Sequence, residues 1–247
     1  MPLYTTEDAE ESLKYFKSVN YGQDLVLSEQ LRFKFKDAGH ILGSSMVRAT
    51  VTDARGSDCR ILFGGDLGRP GQPILRDPVQ AFEIDHLLLE STYGDRLHSN
   101  ADPSGDLANV INGAIERKGA LIIPAFARGR ILHHLKRRVP KQETTVLFIG
   151  YQGEGTRGRT ILSGVESEKI HGKPVDVNAK IEQISGFSAH ADYNEILAWL
   201  IGFNRPPKKT FLVHGEDDAR QALAKKIRAK LGWEVVEPGF GDVAELE

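Results

Sequence analysis

LRFKFKDAGHILGSSMVRATVT, residues 31–52, holds two runs that alternate apolar and polar side chains, 31–36 and 45–52, around a loop containing glycine. Alternation with period two is the mark of a half-buried β-strand, whereas a helix repeats at 3.6 residues. The stretch predicts LRFKFK as a strand with one wet face and SMVRATVT as its hairpin partner. His40 falls in the loop between them. Working outward, CRILFGG (59–65) and HLLLES (86–91) read as short strands of the buried kind. ALIIPAF (120–126), TTVLFIGY (144–151) and KTFLVHGE (209–216) read as further strands.

Helical periodicity fills the intervals. Thr5 to Val19 carries threonine caps, acidic residues in its first turn, and Leu13, Phe16 and Val19 at helical spacing. GDLANVINGAIERKG (105–119) predicts a helix ending on glycine, ILHHLKRR (131–138) a basic helix, and NEILAWLIGF (194–203) another. DDARQALAKKIRAKLG (217–232) predicts an amphipathic helix stopped by Gly232. Strands alternating with helices, plus some antiparallel pairing, give a layered α/β protein. The sequence contains no internal repeat.

The 247 residues suit one large domain or two small ones, and 40% hydrophobic with 27% charged residues is ordinary for a globular protein. The single cysteine, Cys59, excludes an intrachain disulfide and any thiolate zinc cluster, so a reducing, cytoplasmic home is the expectation. The acidic stretch MPLYTTEDAEESLKYF does not read as a signal peptide, and no apolar run approaches the length needed to cross a bilayer. Charge is uneven. Residues 1–120 carry 13 Lys/Arg against 18 Asp/Glu, and residues 121–247 carry 19 against 16. Within 128–159 eight basic residues stand against Glu143 and Glu154. Such a stripe on a mildly acidic chain suits a polyanion held at one place, though a solvated helix face would look the same.

The polar residues at the strand ends are more telling. His40 comes after LRFKFK, Asp66 after ILFGG, Glu90 closes HLLLE, and His214 comes after TFLV. His190 occupies a comparable loop of small residues, GFSAHADY (186–193). Taken singly, a strand-end aspartate is an ordinary turn former and a lone histidine an ordinary core residue. Five at equivalent places, with glycines that let the backbone turn, fit a divalent metal site of imidazole and carboxylate donors, zinc above all. The alanines beside His190 fit either packing or clearance for a ligand.

Together these stretches resemble the metallo-β-lactamase superfamily, in its β-CASP branch of nucleases acting on RNA. AGHILGS (38–44) is similar to the third lactamase motif and FGGDLG (63–68) to the fourth. LLLESTYGDR (87–96), FSAHADY (187–193) and LVHGE (212–216) are similar to motifs A, B and C of the β-CASP group. GRILHHLKRRVP with TVLFIGYQGEGTRGR resembles the stretch that leads from the β-CASP insert back to the lactamase domain. The resemblance implies a partial αββα sandwich with a remnant of the insert. It divides the chain into 1–119 (motifs 3, 4 and A), 120–160 (shortened insert) and 161–247 (returning segment, motifs B and C).

The resemblance also implies roles. His40 and His214 would ligate two zinc ions, Asp66 would bridge them and serve catalysis, and His190 would protonate the leaving ribose oxygen with Glu90 keeping its ring charged and aimed. Arg128, Arg130, Lys136, Arg137, Arg138, Arg157 and Arg159 would grip RNA phosphates. Two departures temper this. The His-x-His-x-Asp-His signature is absent from the sequence, and ALIIPAFARGR runs straight into ILHHLK, joining the ends of the insert near Ala127–Gly129. Each zinc would lack two ligands and bind weakly. Half a sandwich would expose a sheet face and favour a homodimer or a complementing chain. The expectation is a zinc-dependent RNA phosphodiester hydrolase, with an inactive remnant that binds nucleic acid or a partner as the rival. DNA or a small ester is the alternative substrate. No G-x-S-x-G elbow is present, and GYQGEGTRGR lacks the lysine and serine order of a P-loop.

Overall fold

The computed structural model describes residues 4–80, 83–99, 102–124 and 130–246. In chain order its elements are α1 (Thr6–Ser12), β1 (Asp24–Ser28), β2 (Leu31–Asp37), β3 (Ser45–Thr52), β4 (Asp58–Phe63), β5 (His86–Leu89) and α2 (Pro103–Glu116). There follow β6 (Leu121–Ile122), α3 (Arg130–Arg138), β7 (Thr145–Ile149), α4 (Arg157–Leu162), β8 (Ser167–Ile170), β9 (Lys173–Asp176) and β10 (Lys180–Ile184). The last are α5 (Tyr193–Ile201), β11 (Lys209–Leu212), α6 (Asp217–Leu231) and β12 (Val235–Val236). They form two compact units, Met1–Gly94 with Tyr193–Glu247, and Asp95–Asp192. These boundaries follow compactness; the divisions at 119/120 and 160/161 follow motifs.

The first unit is built on a seven-stranded sheet of order β1-β2-β3-β4-β5-β11-β12. β1 to β4 pair antiparallel; β4–β5, β5–β11 and β11–β12 pair parallel. Ladder partners share a face, so the register sorts the side chains. Met46, Leu62, Leu87, Leu89 and Leu212 lie on one face and are wholly buried. Helices α5 and α6 bury Ile196, Leu197, Trp199 and Leu200, and Leu223, Ala224 and Ile227, in the same unit. The opposite face carries Phe33, Phe35, Val47, Ile61, Phe63, Leu88 and Phe211. It is crossed by the C-terminal residues Val243 and Leu246, which wall a groove of about 430 Å³ with Ile61, Phe63 and Leu88.

This geometry revises the reading of LRFKFK. All seven residues of β2 are half-buried, with no alternation in exposure. Lys36, on the supposed wet face, donates from Nζ to the Gln80 carbonyl at 3.1 Å. Burial, and then the neighbouring Arg48 and Lys34, hold its ammonium pKa below the usual range. The phenylalanines Phe33 and Phe35 are half-buried to the same class as the lysines beside them. Likewise β4 is not buried throughout, because Leu62 is wholly buried while Phe63, on the opposite face, is 42% exposed.

At the N-terminus Thr5 and Asp8 close a reciprocal capping box, as the threonine caps imply. The helix is nevertheless shorter than 5–19. It ends at Ser12 and tightens into a 3-10 turn at Leu13–Tyr15. Leu13 and Phe16 remain mostly exposed. Their spacing is helical, but no buried surface rewards it, and packing rather than propensity sustains short helices.

The second unit holds a parallel sheet of order β10-β7-β6 and the antiparallel hairpin β8–β9. Its core joins Leu135 and Val139 to Val146, Phe148, Ile161 and Ile170. α2 starts on an Asp102 cap and ends at Glu116, so its reversal uses Lys118 at φ 51° rather than glycine. β6 keeps two residues of ALIIPAF, and the join at Ala127–Gly129 lies outside the described residues. The sheet faces predict unequal mutational costs. Leu62→Ala should lower the unfolding free energy by about 2–5 kcal/mol and Phe63→Ala by about 1 kcal/mol or less. Urea unfolding of both variants checks this, and equal costs would contradict the assignment of faces.

Candidate metal centre

Three strand ends of the first unit converge. His40 follows β2, Asp66 follows β4, and His214 follows β11. Asp66 Oδ2 stands 3.7 Å from His40 Nε2, and Asp66 Oδ1 stands 3.7 Å from His214 Nε2. Each carboxylate oxygen thus faces one imidazole. A free carboxylate and imidazole would close to a hydrogen bond at about 2.7–3.2 Å. Two ligands sharing a tetrahedral zinc, with bonds near 2.0–2.1 Å, stand about 3.4 Å apart. The observed spacing is closer to the second case, and it repeats on both sides of Asp66. The donor set therefore fits zinc. The His40 ring is 12% exposed, against 43% for Asp66 and 64% for His214, so the cluster opens to solvent on the His214 side.

Backbone contacts explain why the side chains hold this spacing. The Gly68 N–H donates to the Ala38 carbonyl at 2.8 Å, pressing the Asp66 loop against the His40 loop. A Cβ on residue 68 would lie 1.9 Å from the Gly39 carbonyl oxygen, so only glycine fits there. The Leu67 N–H donates to Glu90 Oε1 at 2.6 Å, and Arg69 Nε donates to Glu195 Oε1 at 3.2 Å. On the other side, the His214 carbonyl accepts from the Ser91 N–H at 2.7 Å and from Ser91 Oγ at 2.9 Å. His214 itself sits at φ 51°, a left-handed conformation uncommon for a residue with a side chain. Such strain persists where the surroundings fix it, and the two Ser91 bonds do so.

Glu90 is 1% exposed, and the bond it makes to Leu67 ties β5 to the Asp66 loop. That contact, and the part of Ser91, were not foreseen from sequence; both belong to the ESTYGD stretch, whose polar residues at a strand end were the only signal. His190 belongs to the second unit, where its carbonyl accepts from His98 Nε2 at 2.9 Å. Ala191 is 1% exposed, so its smallness serves packing; Ala189 and His190 are half-buried.

The basic residues divide into two kinds. Helix α3 places Arg130, His133, His134, Arg137 and Arg138 on one exposed face, with Ile131, Leu132 and Leu135 turned towards the core. Among the described residues Arg130, Lys136, Arg137 and Arg138 form no ion pair. Arg157 instead donates to the Lys169 carbonyl and lies 3.9 Å from Glu168, and Arg159 lies 3.4 Å from Glu154. Arg128 lies outside the described residues. No helix among the described residues is long and apolar enough to cross a membrane.

Comparisons with known proteins bear on the same segments. Residues 174–238 match the Zn-dependent metallo-hydrolase RNA specificity domain, and residues 108–161 match the Beta-Casp domain. Ribonuclease TTHA0252 of Thermus thermophilus is 25% identical over 98% of this chain and 75% of its own length. Transcription termination factor FttA of Thermococcus kodakarensis is 22% identical over all of this chain and 53% of its own. An RNase J-like protein of Methanocaldococcus jannaschii is 24% identical over 86% of this chain and 70% of its own. The chain thus spans about half the length of the termination factor it matches.

The ties around Asp66 predict that Glu90→Gln, which keeps an acceptor for Leu67, melts near the wild type. Glu90→Ala should lose about 1–3 kcal/mol by leaving a buried N–H unsatisfied. Thermal unfolding of the pair is the check, and an alanine variant as stable as the glutamine one would contradict the tie.

Proposed function

We propose that this chain, which matches the Beta-Casp domain over residues 108–161 and the Zn-dependent metallo-hydrolase RNA specificity domain over residues 174–238, hydrolyses RNA phosphodiester bonds with zinc as a β-CASP member of the metallo-β-lactamase superfamily. The observation that carries the proposal is the Asp66 carboxylate standing 3.7 Å from an imidazole on each side. His40, Asp66 and His214 would hold the metal. Bound zinc supplies Lewis acidity at the phosphate and lowers the pKa of the attacking water.

The chain's own residues do the rest. His190, the histidine of motif B, is assigned proton donation to the leaving ribose oxygen, a task suited to an imidazole near neutral pH. Glu90 is assigned the holding of the Asp66 loop through Leu67, beside the acidic role that motif A implies. The exposed face of α3 is assigned the grip on phosphates, because its cations are not spent on local carboxylates. Arg157 and Arg159, already engaged with Glu168 and Glu154, are assigned a lesser share.

Incubation of a labelled RNA oligomer with the chain and zinc should give cleavage that chelator abolishes and that His214→Ala lowers by at least about a hundredfold. Cleavage indifferent to chelator contradicts the metal mechanism, and tight RNA binding with no cleavage supports the non-catalytic alternative. A parallel DNA oligomer should be cleaved more slowly.

RNA affinity tests the division of the basic residues. Replacing Arg130, Arg137 and Arg138 together by glutamine should flatten the slope of log K against log salt by about 2, at about 0.7 per phosphate contact on a single strand. The double change of Arg157 and Arg159 should flatten it less. An unchanged slope in the α3 variant removes this helix from the RNA-binding surface.

A further inference from the structure

His98 comes shortly after the YGDR stretch and is 93% buried in the second unit, at 7% exposure. Its ring Nε2 lies 2.9 Å from the His190 carbonyl oxygen, and its backbone N–H donates to Asp192 Oδ2 at 3.0 Å. A carbonyl oxygen only accepts, so Nε2 must carry the hydrogen. One residue, more than ninety positions away in sequence, thus holds the chain at His190 and again two residues later.

We infer that His98 is the positioning residue for His190: its two hydrogen bonds clamp the peptide on the C-terminal side of the imidazole and so aim that side chain. The functional half of this inference rests on the proton-donor role proposed above; the structural half does not. The physical case begins with the carbonyl. A hydrogen bond to it fixes the plane of the 190–191 peptide, and with it the direction of the His190 Cα–Cβ bond. Asp192, itself 6% exposed, is held through its side-chain carboxylate, which accepts the His98 N–H. Between them Ala191 is packed at 1% exposure, with no side chain to compete for direction. Ahead of them Ser188 is 5% exposed and its N–H donates to the Ser185 carbonyl at 3.1 Å. The loop is thus anchored on both sides of Ala189 and His190. A group that must deliver a proton to one oxygen gains most from such anchoring, since a misplacement of about 1 Å can cost about a hundredfold in rate.

Methionine and glutamine are close to histidine in size, and only glutamine keeps a donor at the reach of Nε2. In hydrogen exchange of the full chain, His98→Met should speed exchange of the amides at 189–192 by about tenfold or more, while His98→Gln leaves them near the wild type. In RNA hydrolysis, His98→Met should lower kcat by about ten- to a hundredfold with KM unchanged, and His98→Gln should recover most of it. Nitrogen-15 spectra of the wild-type chain should find the His98 ring protonated at Nε2 whether or not the methionine variant folds. Protonation at Nδ1 alone, or equal exchange in the two variants, overturns the inference. Should the wild-type chain cleave no RNA, the hydrolase proposal fails, and exchange and nitrogen spectra still decide the clamp.

Discussion

The hydrogen bond from the Leu67 N–H to the buried carboxylate of Glu90, at 2.6 Å, is the constraint on which the candidate centre depends. Asp66 precedes that N–H by one residue, so its side chain points where β5 allows. The Gly68 bond to Ala38 draws in the His40 loop, and Ser91, next to Glu90, fixes the carbonyl of His214. Three strand ends distant in sequence are therefore tied by backbone donors and acceptors rather than by attraction between His40, Asp66 and His214. That is why the imidazoles stand off from the carboxylate at 3.7 Å instead of closing on it. A site preorganised in this way keeps its donors apart at a spacing a cation can bridge.

The parallel pairing of β4, β5 and β11 is what aligns these ends. Parallel neighbours finish on the same side of a sheet, and ligands gather beyond the carboxyl ends of such strands. The antiparallel β2–β3 pair enters from the other direction, and its connecting loop delivers His40 to the same place. The two faces of this sheet are unequal. One is buried to zero exposure at five large residues, while the other leaves Phe63 and Val51 about two-fifths exposed. An open apolar face of this kind is where a further layer packs in sandwich folds.

Much of this was legible in the sequence. Period-two alternation located β2 and β3 with their pairing, and a glycine placed the end of α6 at Gly232, which takes φ 68°. The catalogue of polar residues at strand ends singled out His40, Asp66 and His214, which the fold brings together. Other features were hidden for physical reasons. Alternation says that β2 has two unlike faces, but not how far each will be covered; its lysine and phenylalanine positions are all half-buried. The stripe of Leu13, Phe16 and Val19 has helical spacing without a surface to bury against. Short polar strands such as β8, β9 and β10 lack a strong periodic signal. The ties of Leu67, Ser91 and His98 run through backbone groups or across ninety residues and more, where side-chain identity carries little information. The role of Ala191 emerges only from its burial.

The central claim is that Asp66 is the shared donor of a metal centre with His40 and His214. It is tested most directly by titrating zinc into the metal-free chain by calorimetry, beside Asp66→Ala and His134→Ala, the latter on the exposed face of α3. The account predicts zinc binding in the wild type, its loss in Asp66→Ala, and retention in His134→Ala. Equal zinc affinity in the wild type and Asp66→Ala would contradict it.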